Sequence, residues 1–225
     1  MASSGRGKRT AGKTATGTAK KAAAKKTPAK PAATKRPAVK KAASKPASKP
    51  TSKSAKTEGG AWAAVFTPRA PGERRYWLVK SEPSVFSFDD LLAAKNRTTQ
   101  WDGVRNFAAR NFMRDGMKLG DQVFYYHSSV DPQVIVGVCE VAREAYPDAT
   151  AFDSKHHGYD EGSDPNEPTW VMVDLRAVEP LARPVTLSEI KAKPELAGMA
   201  LLRIGRLSVT PVTADEWKVI RAMGG

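Results

Sequence analysis

Apolar residues are sparse over the first 57 positions and then fall into short runs from residue 76 to the C-terminus. "YWLVKS", residues 76–81, reads as a strand, and Pro83 ends it. "SFDDLLAAK" begins with Ser87 as a helix N-cap. Asp90 stands at the capping-box position, and Leu91 and Leu92 point inward. "DQVFYYHSS" and "QVIVGVCEVAREAY" read as two long strands. The "SVDP" between them carries Asp-Pro turn chemistry, which predicts a hairpin. "AFDSKHHGYDEGSDPNEP" is a polar loop, and "TWVMVDLRAVEPL" alternates as another strand. Thr186/Glu189 and Thr213/Glu216 open two further helices with T-x-x-E capping boxes. "GRLSVTPV" lies between those helices as a short closing strand. About five strands, mostly antiparallel, and four short helices predict an α+β protein. The expected architecture is a small β-barrel with helices packed around it.

Between the first strand and the hairpin stands "WDGVRNFAARNFMR", residues 101–114. Stepped at 100° per residue as a helix, it places Val104, Phe107, Ala108 and Phe112 on one face. Asn111 falls in the middle of that face, where a buried amide must be bonded to a neighbouring strand or turn. Arg110 and Arg114 share the opposite, solvated side. Asp102 is placed to cap the helix. Trp101, Arg105 and Asn106 then gather at a helix N-terminus, which favours anionic or acceptor-rich ligands.

The charge divides the chain. Residues 1–57 hold 17 of the 37 Lys and Arg and none of the 23 Asp and Glu, so the remaining 20 cations and 23 acids leave the rest at −3. The overall +14 is therefore a property of the N-terminal segment. That segment repeats Lys, Ala and Pro with almost nothing to bury, so it is expected to be disordered. Spaced lysines there would bind phosphates without reading sequence. Residues 58–73, rich in Gly and Pro, read as a linker in which Trp62 and Phe66 are loosely held. The folded domain is expected over residues 74–225. A single cysteine, Cys139, lies in an apolar strand and fits a reducing, intracellular setting. No apolar run approaches the roughly 20 residues of a membrane span. His156 and His157 are adjacent and lack a dispersed set of further ligands, so no metal or other cofactor is expected. No Ser-His-Asp context or phosphate-cradling loop is present.

"YWLVKSEP", "WDGVRNFAARNFMR", "KLGDQVFYYHSS", "GVCEVAREAYPD", "HGYD", "PTWVMVDL" and "RLSVTPVT" follow in an order and spacing that resemble the EVE domain, in particular the thymocyte nuclear protein branch and its bacterial relatives. The resemblance covers Tyr76 to Met223 and none of the basic segment. It implies a PUA-like barrel, related to YTH and ASCH domains, that binds DNA or RNA carrying a modified base, with modified cytosine favoured and DNA ahead of RNA. A reader of a flipped base needs an aromatic wall, donors and acceptors for the base edge, and a mouth that accepts phosphate. On that reading Trp101 supplies the wall. Glu82 accepts from an exocyclic amine and Lys80 donates to a carbonyl, with Ser81 between them. Tyr126, His127 and Ser128 end a strand at the mouth. Arg105 and Asn106 donate to base or phosphate, and Arg206 and Ser208 stand two apart on the final strand.

Each assignment has a plainer alternative. Lys80 and Glu82 read equally as an ion pair, Trp101 as a core cap, His127 as an ordinary strand histidine and Tyr126 as packing under a helix. Two other functions remain open from the sequence. One is an ASCH-like amidohydrolase acting on a modified cytidine through Lys80 and Glu82. The other is a nucleoid or chromatin packaging protein in which the basic segment dominates. A monomer in the bacterial cytoplasm or nucleoid, or in a nucleus, is the expected setting, with no membrane partner.

Overall fold

The computed structural model describes residues 62–225, so the expectations for the basic segment, residues 1–57, lie outside the described residues. In chain order the elements are β1 (Tyr76–Ser81), α1 (Phe88–Ala93), β2 (Thr98–Trp101), α2 (Phe107–Asn111), β3 (Gln122–His127) and β4 (Val134–Pro147). They continue with β5 (Val171–Thr186), α3 (Leu187–Ala192), α4 (Ala200–Arg203), β6 (Val209–Val212) and α5 (Ala214–Gly224). The three capping boxes form as read. Ser87, Thr186 and Thr213 accept from the backbone N–H three residues on, and Asp90, Glu189 and Glu216 reach back.

The strands make one mixed sheet in the order β2-β5-β4-β3-β1-β6. β1 and β3 run parallel, and the other pairings are antiparallel. The parallel pair follows from the connection. A crossover through α1, β2 and α2 returns the chain in the same direction, which no tight hairpin can do. Antiparallel pairing thus predominates as expected, but the ladder among the described residues is an open sheet edged by two four-residue strands, β2 and β6. Repeated register shifts between β4 and β5 let these two long strands bend across the domain.

Both sheet faces are covered, so the strands read as near-continuous apolar runs. Alternation sends Trp77, Val79, Val123 and Tyr125 into one core with α1 and α2. Leu78, Phe124 and Tyr126 enter the other core with α3, α4 and α5. Cys139 is buried in the first, where desolvation pushes its thiol pKa well above the ordinary range. Gly137 is required where Phe88 packs on β4, because a Cβ there would meet the ring at 2.3 Å.

The expected helix over residues 101–114 divides. Trp101 closes β2 instead, and Gly103 holds φ at +69°, which a helix cannot contain. α2 starts only at Phe107. Asn106, not Asp102, is its cap, with Oδ1 accepting from the N–H groups of Ala108 and Ala109 at 2.9 and 3.2 Å. The buried face therefore becomes Ala109, Phe112 and Met113, while Phe107 is exposed. Arg110 is not free in solvent. It donates to Asn111 Oδ1 and lies over the rings of Phe107 and Trp170. Asn111 thus satisfies its neighbour rather than a strand. A π-turn, Phe112–Gly116, follows, and its glycine leaves room for the Trp77 ring.

The described part of the expected linker is docked. Trp62 and Phe66 pack on the first core, and Phe66 stacks on Phe112 with centroids 5.6 Å apart. Arg69 bonds to Asp121 and to the Gly116 carbonyl. Asp121 is fully buried and also accepts from Trp77 Nε1, Arg75 N–H and Lys118 N–H. A buried carboxylate is tolerated only with such a full set of donors.

Candidate functional site

Where β1 and β2 end, the surface opens into a cleft of about 730 Å³. One wall is the β1 end and the turn after it, with Lys80, Ser81, Glu82, Val85 and Phe86. The facing wall runs from Thr99 through Trp101 to Arg105, and His156 and His157 close it from the long loop. β2 is there because it pairs with β5, Trp101 opposite Val173. Trp101 is half-buried and meets Tyr125 edge-to-face, centroids 5.7 Å apart, and part of the indole is left to line the cleft.

The Pro83–Phe86 turn is braced. The N–H groups of Val85 and Phe86 both reach the Glu82 carbonyl at 2.9 Å, and the Phe86 carbonyl accepts from Ser81 Oγ and Tyr125 Oη. Lys80 and Glu82 are not paired with each other. Lys80 Nζ donates to the Gly205 carbonyl at 2.9 Å, and Glu82 accepts from Ser129 Oγ at 2.9 Å. Burial lowers the Lys80 ammonium pKa.

Arg105 lines the cleft but spends its donors on the protein. It pairs with the buried Asp148 at 2.7 Å and donates to Thr150 Oγ1, to the Val104 carbonyl and to the Gly158 carbonyl. Asp148 also accepts from the N–H groups of Gly103 and Thr150. Burial pushes this carboxyl up, but the bonds from Thr150 and Arg105 outweigh it, and the net shift is downward. Gly158 is buried against the guanidinium, with no space for a Cβ. The ion pair therefore clamps the loop onto the cleft wall. Beside it the Asp102 carboxyl is raised, first by burial and then by Asp148, against His156, His157 and Arg105. His156 Nδ1 accepts from the Gly158 N–H at 3.1 Å.

A second, polar cleft of about 400 Å³ shares Lys80, Glu82 and Ser208 with the first and adds Tyr126, Ser128, Ser129, Gln133 and Arg206. Tyr126 is buried, and its hydroxyl is bonded to Gln133 at 2.6 Å. Ser128 Oγ donates to the Ser81 carbonyl.

Of the residues singled out from sequence, Lys80, Ser81, Glu82, Trp101, Arg105 and Ser208 thus meet in the larger cleft, and Tyr126, Ser128 and Arg206 in the adjoining one. Asn106 and His127 line neither cleft. Asn106 caps α2, and His127 Nε2 accepts the first N–H of α1, from Phe88, at 3.1 Å. Phe86, Gln100, Asp102, Gly103, His156 and His157 were not foreseen there. The acid-glycine turn after Trp101 was the only local signal for any of them. Among the described residues no three His, Cys, Asp or Glu side chains are grouped to hold a metal.

The EVE domain pattern matches residues 75–223, most of the chain and all of the sheet. The chain belongs to the EVE domain family. Thymocyte nuclear protein 1 of Gallus gallus is 39% identical over 197 residues, covering 78% of this chain and 81% of the relative. A Leishmania major protein of solved structure shares this EVE domain fold with a TM-score of 0.64 at 45% identity, covering 68% of this chain and 95% of that one. Human THYN1, solved in complex with 5-methylcytosine containing DNA, has a TM-score of 0.64 at 38% identity, covering 67% of this chain and 97% of that one. No helix among the described residues is long and apolar enough to cross a membrane.

Proposed function

We propose that this EVE domain protein is a non-catalytic reader of a modified base, with modified cytosine favoured, in DNA ahead of RNA. The observation that carries the reading is the half-buried Trp101 indole on one wall of the larger cleft, facing a β1 end that presents Lys80 and Glu82. An indole stacks on any base, and stacking contributes about 1–3 kcal/mol per base. A carboxylate and an ammonium on the opposite rim suit the amine and carbonyl edge of a cytosine. The solved human relative bound to 5-methylcytosine containing DNA supports the same choice. The PUA-like barrel relationship belongs to this proposal too, with the bent β4–β5 pair as the part that would curve the sheet. The protein acts as a monomer in an intracellular compartment that holds nucleic acid, the nucleus if its host is eukaryotic.

Residues 1–57 supply general phosphate attraction, because the remainder of the chain is net acidic. The amidohydrolase alternative has less support. The hydroxyls of Ser81 and Ser128, the serines nearest Lys80 and Glu82 that could serve it as nucleophile, both donate to main-chain carbonyls and are engaged in the fold.

The test is titration of the full-length protein with oligonucleotides carrying cytosine, 5-methylcytosine or 5-hydroxymethylcytosine at one position. A pocket that reads one small group gains about 1–3 kcal/mol, a preference of roughly ten- to 200-fold. Deleting residues 1–57 is expected to remove most of the salt dependence and keep that preference. Equal affinity for all three bases would sink the proposal, and hydrolysis of N4-acylcytidine would move it to the enzyme reading.

A further inference from the structure

The smaller cleft lies directly beside the proposed base site, joined to it across Lys80, Glu82 and Ser208, yet its chemistry is different. The larger cleft has Trp101, Phe86, Val85 and Val104 on its walls. The smaller one is lined by hydroxyls, an amide and charged groups, and its one aromatic, Tyr126, is buried with its hydroxyl already bonded. It offers no face for a base to stack on.

Its cation is well placed and unspent. Arg206 is exposed and has no carboxylate or carbonyl partner among the described residues. Seven other arginines among the described residues do have one: Arg69, Arg75, Arg105, Arg114, Arg176, Arg183 and Arg221 are each paired to an acid. The loop that carries Arg206 is fixed by Lys80 Nζ on the Gly205 carbonyl and by the Lys80 N–H on the Ser208 carbonyl, both at 2.9 Å. The one carboxylate in this cleft, Glu82, is turned to Ser129 Oγ.

We propose that the smaller cleft holds the phosphodiester flanking the extruded nucleotide, with Arg206 as its cationic contact and the Ser208 hydroxyl as a neutral donor. This rests on the base-reading proposal for the larger cleft. It adds a division of labour: the Trp101 cleft sets which base is preferred, and the Arg206 cleft sets where the backbone crosses the rim. A phosphate contact positions the strand and carries no sequence information. Lys80 stands on the boundary, where its ammonium serves the loop and borders both sites.

The experiment compares the full-length protein with Arg206→Ala and Arg206→Lys. Each is titrated with a 5-methylcytosine oligonucleotide, the matching cytosine oligonucleotide and the free nucleoside 5-methyl-2′-deoxycytidine, at several salt concentrations. One lost phosphate contact lowers the salt slope by about 0.9 on duplex. Between about 50 and 200 mM salt the variant should therefore lose roughly 3.5-fold less affinity than the wild type. Arg206→Ala is expected to weaken both oligonucleotides by the same factor, to leave nucleoside affinity unchanged, and to be partly rescued by Lys. An unchanged salt slope overturns the proposal, and so does equal weakening of the free nucleoside, which would put Arg206 in the base site. The base-reading proposal fails separately, if the wild type itself shows no preference between the two oligonucleotides.

Discussion

Arg105 is the residue on which a ligand-contact role and a structural role separate most cleanly. Its side chain is 20% exposed and its ion-pair partner Asp148 is 0% exposed. Arg105→Ala removes the guanidinium from Asp148, Thr150 Oγ1 and two carbonyls, and leaves the buried carboxylate with only the Thr150 donors and the Gly103 N–H. Removing one partner of a buried pair costs about 3–5 kcal/mol. The partial exposure of Arg105 lets water enter, which argues for the lower end, about 3 kcal/mol. A domain of ordinary stability, about 5–15 kcal/mol, would survive that loss. With a urea m-value of about 2 kcal/mol/M, the midpoint should fall by roughly 1.5 M. Equilibrium urea unfolding followed by tryptophan fluorescence measures it. Asp148→Ala in the same background should be strongly non-additive, since the two residues share one network. The salt slope of oligonucleotide binding should not change, because four of the five guanidinium N–H groups and the charge itself are already engaged within the protein. A midpoint within about 0.25 M of wild type, together with a salt slope lowered by about one unit, would show that Arg105 meets the nucleic acid and that the clamp is not what holds the loop.

Trp101→Ala should weaken binding of a modified-cytosine oligonucleotide by roughly five- to 150-fold, the value of one base stack, while the salt slope stays as in wild type. Isothermal titration at two salt concentrations tests both halves. His127 has its imidazole pKa lowered by burial, opposed by Asp89, and accepts the Phe88 N–H in the neutral form. A folded pKa below the unfolded value of about 6.5 means its stabilisation is complete above that pH and is lost as pH falls through the folded value. His127→Gln keeps an acceptor without titrating, so unfolding curves between about pH 5 and 7 should be flatter for the variant. Identical pH profiles would refute the assignment. Gly137→Ala should destabilise by about 1–3 kcal/mol through overpacking against Phe88, and a neutral effect in thermal unfolding would show that the ring has room to move.

The sequence alone determined what depends on neighbours three or four residues apart. The three capping boxes, the β3–β4 hairpin and the inward face of α1 all form as read, because a hydroxyl and a carboxylate at fixed spacing need only the local backbone to meet. Membership of the family was equally legible, since motif order survives without knowledge of contacts. Where the same local logic was applied to residues 101–114 it failed. Helical periodicity cannot reveal that "TTQW" pairs with β5, an interaction with residues more than 70 positions away that draws Trp101 into a strand and moves the helix start to Phe107. The composition of the cleft was decided in the same way. β2 brings Trp101 opposite the β1 end, and the buried Asp148 folds His156 and His157 over it. Those partners are set by long-range pairing and by the need to satisfy a buried charge, and neither leaves a periodic trace along the chain.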